Sequence, residues 1–262
     1  MINSFRYQCY VLLRNRTFWI VLISLLLFNG ITIIFLIIDE MIFFNQLSVI
    51  DIEPLSLSDL LLRAIPLSAV LFIIMVALFA TDKYASRAII YQKISSNSRA
   101  KQFFSDACVV AVLSMIISAL LLGVMAGSYF VTSAVYGQSI PSVDVLTLKS
   151  VRQLFLYMLF TGLFIFALSE IIRNAIASIA VEILWSIGLV ELLFSWNIFG
   201  RAVMYYPFHL LSELLGNSVY QWAGGASPVY LSLGESTLWL SLYAVIFLVL
   251  SYVSYAKRDA IN

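Results

Sequence analysis

Long apolar runs, separated by short clusters of charge, set the plan of this 262-residue chain. The first, residues 18–38, is interrupted only by Ser24, Asn29, Gly30 and Thr32. It is long enough for a helix across a ~30 Å hydrocarbon core, and Asp39 and Glu40 are expected to end it. Further runs predict spans over about residues 64–79, 104–130, 151–168, 175–196 and 238–255, six in all. Pro66 falls in the first turn of the second span, where a missing N–H costs least. The third run is longer than a span needs, which implies tilt or extension beyond the membrane. Gly123 and Gly127 form a GxxxG pair within it, expected to pack closely against a helix of the same subunit, with a dimer seam as the alternative.

Two segments outside the spans carry helical patterns of their own. Residues 1–17 alternate Phe5, Val11 and Leu12 with Arg6, Arg14 and Arg16, as in a short helix lying on the inner membrane surface. The apolar run that follows exceeds a signal-peptide core and lacks a small-residue cleavage site, so it is expected to stay as the first span. Residues 199–237 contain an amphipathic pattern beginning at Pro207. Phe208, Leu211, Leu215, Val219 and Trp222 recur at spacings of three and four, opposite His209, Glu213, Asn217 and Gln221. This outer helix either rests on the outer leaflet or forms a lid over an exit path, for which Phe208, Leu211, Leu215 and Trp222 are the candidate residues. His209, on the polar face, is expected to be solvated.

Composition agrees with the pattern. The chain is 62% hydrophobic and 11% charged, with a mean hydropathy of +1.00, whereas soluble domains run at about half apolar and a quarter charged. The expectation is an all-α integral membrane protein. A net charge of +1 gives no general basic field of the kind that binds nucleic acid. Cys9 and Cys108, the only cysteines, fall near inner helix ends, where thiols stay reduced, so neither a disulfide nor a metal site is expected.

Charge distribution fixes the orientation. Five of the fifteen Lys and Arg lie in residues 81–103, namely Lys83, Arg87, Lys93, Arg99 and Lys101, against one acid, Asp82. Together with Arg6, Arg14, Arg16, Arg173, Lys257 and Arg258 they occupy the side that holds both termini. The other side carries only Arg63, Lys149, Arg152 and Arg201. Six spans with this bias place both termini in the cytoplasm of a multi-pass cell-membrane protein.

Catalytic motifs are missing from the sequence: it has no GxxxxGK[ST] loop, no HExxH, no GxSxG and no Cys/His cluster at metal spacing. The chain is not expected to be an enzyme on its own. What stands out are polar residues within spans, which cost ~2.5–3.5 kcal/mol each if charged at a helix centre. Glu182 and Glu191 lie roughly 10 and 24 Å above the inner end of the fifth span at ~1.5 Å per residue. Nine residues at ~100° each put them on opposite faces. Asn29, near mid-depth on the first span, is the candidate partner of Glu182. Asn29, Glu182 and Glu191 are read either as interhelical hydrogen bonds or as polar points on a translocation path.

With these elements placed, the chain resembles the permease subunits of type-two ATP-binding-cassette exporters. The resemblance covers most of the sequence: a basic surface helix leading into RNRTFW at residues 14–19, six spans, a basic loop between the second and third, and an amphipathic outer segment before the last. Its most specific part is the loop, where Asp82, Lys83 and Tyr84 are followed by Arg87, Ile89 and Ile90, then Ser98 and Arg99. Ala85 and Ser86 stand where members often have Gly, and Asp106 where many have Lys. The resemblance implies that residues 82–94 form a cytoplasmic coupling helix seated in a groove of a separate ATPase subunit. By position, Asp82, Lys83, Tyr84, Arg87, Ile90, Tyr91 and Lys93 would be the coupling residues.

It implies further that the chain pairs with a second copy or a close relative among the membrane lipids, and that the partner ATPase binds ATP and Mg, leaving this chain without a cofactor. Among such permeases the short six-span kind looks most like exporters of amphipathic peptides, including bacteriocin-immunity and toxin exporters. Export of polysaccharide, lipid or drug is the alternative. A passive channel or membrane scaffold, whose loop docks no ATPase, is an alternative of another class.

Overall fold

The computed structural model describes residues 2–46, 57–85, 99–136, 148–186, 205–214 and 231–258. Among them there is no strand, and eight helices follow one another. They are α1 (Ile2–Arg14), α2 (Arg16–Gln46), α3 (Leu57–Ala85), α4 (Arg99–Tyr136), α5 (Leu148–Ile172), α6 (Ala175–Ser186), α7 (Pro207–Leu214) and α8 (Leu233–Arg258). Four contain stretches long and apolar enough to cross a membrane: Arg16–Phe35, Ala100–Ser128, Lys149–Ile172 and Leu233–Lys257. Ser68–Asp82 and Ala175–Leu184 are shorter apolar helical stretches. These helices mark the chain as a membrane protein.

Several helices outrun their apolar stretches. α2 continues through Asp39 and Glu40 to Gln46, so the acids do not end it. α3 begins at Leu57, which puts Pro66 in its interior rather than its first turn. Hydropathy marks where the apolar environment stops, whereas a helix ends only where its backbone is capped. Such caps are present at three starts. Asn15 Oδ1 accepts from Thr17 N at 2.9 Å to open α2, and Asn174 Oδ1 accepts from Ala177 N at 3.1 Å to open α6. Ser232 and Glu235 form a reciprocal capping box at α8, with Glu235 N donating to Ser232 Oγ at 3.3 Å and Ser232 N to Glu235 Oε2 at 2.9 Å.

The bundle is arranged around α5, which packs against α3, α4, α6, α7 and α8. Its apolar stretch is 61% buried, against 28% for α2 and 22% for α8, so it is the axis and they are the rim. Phe160, Phe164, Ile165 and Phe166 are all in the core. On α2 only one stripe turns inward, Phe18, Leu22, Leu25, Asn29 and Ile33, while Ile20, Ile23, Leu27 and Ile31 face out.

Close approach between helices occurs at a glycine with no motif around it. A Cβ on Gly162 of α5 would lie 2.6 Å from Ser114 Oγ of α4 and 3.1 Å from the Phe72 ring of α3. Gly123 and Gly127, expected at a seam within the chain, instead face outward, and a Cβ on either meets nothing within 4 Å. The reason is register. The buried stripe of α4 runs through Val110, Leu113, Ile117, Leu121 and Met125, and a step of two residues, ~200° around a helix, carries the glycines to the other side.

The amphipathic helix that begins at Pro207 also differs from expectation. In α7, His209 is 3% exposed, as buried as its neighbours Leu210, Leu211 and Leu214, because the helix packs against both α5 and α8. A helix covered on two sides buries flanking positions that a single-face reading leaves in water. Leu211 is in the core. Leu215, Val219 and Trp222 lie outside the described residues.

Candidate functional site

One end of the bundle gathers the ends of α3, α4, α5, α6 and α8, and it is the end at which the basic segment leaves and re-enters the helices. α5 stops at Ile172, and Arg173 follows in the left-handed region with φ 59°. A non-glycine residue there is uncommon. The conformation lets Arg173 N donate back to Ser169 O at 2.7 Å while the chain turns directly into α6.

Arg173 then reaches two other helices. Its guanidinium lies over the Tyr84 ring, with Cζ 5.0 Å from the centroid, a cation–π geometry. Its Nη2 also donates to the backbone carbonyl of Ser254 in α8 at 3.3 Å. The Tyr84 hydroxyl donates to Glu170 of α5, whose side chain is fully buried. Tyr84, Glu170 and Arg173 thus bind the last turn of α3 to α5 and α8. Glu170 and Arg173, neither of them a candidate site residue by sequence, are therefore central to this end.

The exit of the segment is held by the same two helices. Phe103, fully buried at the start of α4, has its ring centroid 5.5 Å from that of Phe166 in α5. It lies 5.5 Å from Tyr252 and 5.9 Å from Tyr255 of α8. Tyr255 also donates to Gln102 Oε1 at 3.4 Å. Entrance and exit of the basic segment are anchored on one frame, α5 and α8.

Of the coupling residues expected from sequence, Asp82, Lys83 and Tyr84 belong to the last turn of α3, which does not break at Asp82. Asp82 is exposed and Tyr84 half-buried. Arg87, Ile90, Tyr91 and Lys93 lie outside the described residues, as does Glu191.

Beside this cluster lies α1, with Gln8 and Leu12 buried against the bundle and Tyr10 and Leu13 exposed. Trp19 Nε1 donates to Leu13 O at 2.7 Å and ties α1 to α2. Partial burial pushes the Cys9 thiol above its usual range. A cavity of about 510 Å³ lies between α1, the start of α2, the end of α3 and the turn from Arg173 into α6.

Within the apolar zone, the polar residues pair differently from the sequence expectation. Asn29 donates through Nδ2 to Ser68 of α3, not to Glu182. α6, which carries Glu182, packs on α3 and α5. Glu182 is 1% exposed, and its Oε2 has no hydrogen-bond partner among the described residues. It lies within electrostatic reach of Tyr157 on α5.

No protein-family model matches this chain, and no curated protein matches it.

Proposed function

We propose that the chain is the membrane permease subunit of an ATP-driven exporter, a multi-pass protein of the cell membrane with six spans and both termini in the cytoplasm. A separate ATPase subunit binds ATP and Mg and docks on residues 82–94 of the basic segment. A second copy or a close relative completes the transmembrane unit. The substrate is an amphipathic or hydrophobic molecule, with a peptide such as a toxin or antimicrobial as the first choice and polysaccharide, lipid or drug as the others.

One observation carries this reading. The basic segment enters through Tyr84, which bonds Glu170 of α5 and lies under Arg173, itself bonded to α8, and it leaves through Phe103, packed on α5 and α8. A push delivered at Tyr84 or Phe103 reaches the axis of the bundle through packed rings and a buried hydrogen bond. A solvated turn that served only to set topology would need neither anchor. The concentration of Lys and Arg at residues 83–101 supplies the inward orientation and a surface for an acidic groove.

The test is purification of the chain from its native cells in mild detergent, with mass spectrometry of what accompanies it. An ATPase at one copy per permease supports the exporter. Its reproducible absence from intact, folded chain favours a passive channel or scaffold.

Glu182 is the residue of this reading within the membrane. A buried ionisable side chain at membrane depth is a functional candidate by default. Glu182→Gln keeps shape and removes the carboxylate. Its expected result is near-normal accumulation in the membrane with transport largely lost; equal losses of both would make Glu182 structural.

A further inference from the structure

α6 is amphipathic in the sense opposite to a helix on a soluble protein. The face it turns into the bundle carries Ser178 and Glu182, 0% and 1% exposed, while Ile176 at 80% and Leu184 at 52% point away. Ser178 and Glu182 are four residues apart and share one side of the helix. Ser178 Oγ donates to Asn174 O at 2.8 Å and is satisfied. Glu182 Oε2 is enclosed and has no hydrogen-bond partner among the described residues. Burying a polar group without a partner costs free energy, and burying an isolated charge costs far more.

The two helices on which α6 packs, α3 and α5, bring no cation to balance that carboxyl. α3 has no titratable residue between Arg63 and Asp82, and α5 has only Tyr157 between Arg152 and Glu170. Tyr157 is 8% exposed, lies within electrostatic reach of Glu182 and has the Thr161 hydroxyl beside it. Asp82, Lys83, Glu170 and Arg173 belong to the end where α5 passes into α6, roughly 10 Å along the helix from Glu182. A metal ion of the hard, oxygen-binding kind takes about six to eight oxygens, and one carboxyl with two hydroxyls falls well short. Among the described residues no group of three His, Cys, Asp or Glu is placed to hold one. An ammonium or guanidinium would need a way in, and the cavity beside α1 is lined by neither Glu182 nor Tyr157. A proton needs no room.

We infer that Glu182 is a proton-binding site, its carboxyl carrying a proton with the Tyr157 hydroxyl as its polar neighbour. Tyr157 and Thr161, one turn apart on α5, supply the polar side of the site. Release of the proton leaves a charge between α3, α5 and α6 with no counter-ion, so proton occupancy and the packing of α6 are linked. The site requires no ATPase and holds for an exporter, a channel or a scaffold alike.

Infrared difference spectroscopy of the purified full chain at neutral pH tests it. A protonated-carboxyl C=O band is expected, shifted in D2O as the bound proton exchanges and lost in Glu182→Gln. Tyr157→Phe keeps the carboxyl and removes the hydroxyl beside it, so it is expected to move the band without abolishing it; a band it leaves unmoved takes Tyr157 out of the site. Identical wild-type and Glu182→Gln spectra in this region overturn the inference, and so does a band that D2O does not shift. If Glu182→Gln fails to fold, labelling of the unaltered chain with dicyclohexylcarbodiimide decides. This apolar reagent adds to protonated carboxyls: the proton passes to a carbodiimide nitrogen and the carboxyl oxygen bonds the central carbon. Glu182, in the tryptic peptide of residues 174–201, is expected to carry the label, placed by fragmentation. An unmodified Glu182 in a chain labelled at other carboxyls overturns the inference.

Discussion

Gly162→Ala is expected to destabilise the folded chain by about 1–3 kcal/mol, the usual scale of overpacking. The added methyl would sit 2.6 Å from Ser114 Oγ and 3.1 Å from Phe72. Neither neighbour has an easy retreat. Ser114 Oγ already donates to Val110 O at 2.8 Å, and Phe72 is fully buried. The helix propensity gained in replacing glycine, about 1 kcal/mol in water, offsets only part of the strain. Thermal or denaturant unfolding of the purified chain in one detergent measures the effect. Adding Ser114→Ala should recover part of the loss by removing the nearer atom, and Gly162→Leu should prevent accumulation. Gly123→Ala, whose new methyl meets nothing, is the control; if Gly162→Ala unfolds at the same point, the three-helix seam is not a tight one.

The second large effect is expected at Arg87. Arg87→Glu reverses a charge in the basic segment, outside the apolar helices, so insertion should be unchanged. If an ATPase docks there, a like-charge contact replaces an attractive one at a cost of about 2–5 kcal/mol when the pair is desolvated. The outcome would be an assembled complex whose ATPase activity falls to that of the ATPase subunit alone, or no complex at all. Normal stimulated turnover would argue for a segment that sets orientation and nothing more. Arg87 is preferable to Tyr84 for this purpose. Removing the Tyr84 hydroxyl would leave buried Glu170 without that donor, and a change in turnover could then come from the fold itself.

The apolar runs gave away the helices because a membrane-embedded backbone must satisfy its own hydrogen bonds, and only a helix does so within one segment. Helix ends were less legible. Asp39 and Glu40 report where water begins, yet α2 is stable for another turn or more beyond them. Packing was the least legible. The GxxxG spacing at Gly123 and Gly127 is a motif, but its meaning depends on which side of α4 the other helices occupy. Gly162 stands alone in an apolar run, with nothing in its neighbourhood to advertise a three-helix seam. His209 was misplaced because a helical wheel assumes one wet face, and α5 and α8 between them cover α7 more fully.

The site at the end of the bundle was half visible. The charge of the basic segment could be counted, but its anchoring could not, since Tyr84 and Glu170 are separated by 86 positions. One signal was available: a Glu and an Arg three residues apart at the end of an apolar span, where a turn needs neither. The Asn29 pairing illustrates the opposite failure. Both Glu182 and Ser68 were chemically acceptable partners, and only the arrangement of α2 beside α3 selects the serine.

The position of α5 in the chain also bears on how the protein is made. A polypeptide is synthesised from its N-terminus, so α2, α3 and α4 emerge before the helix on which α3 and α4 are packed. Until residue 172 has left the ribosome, Phe72 and Ser114 have no α5 to cover them, although α2 can already pack on both α3 and α4. A bare glycine at position 162 then lets the late arrival settle into a groove already lined by side chains, without requiring its walls to part.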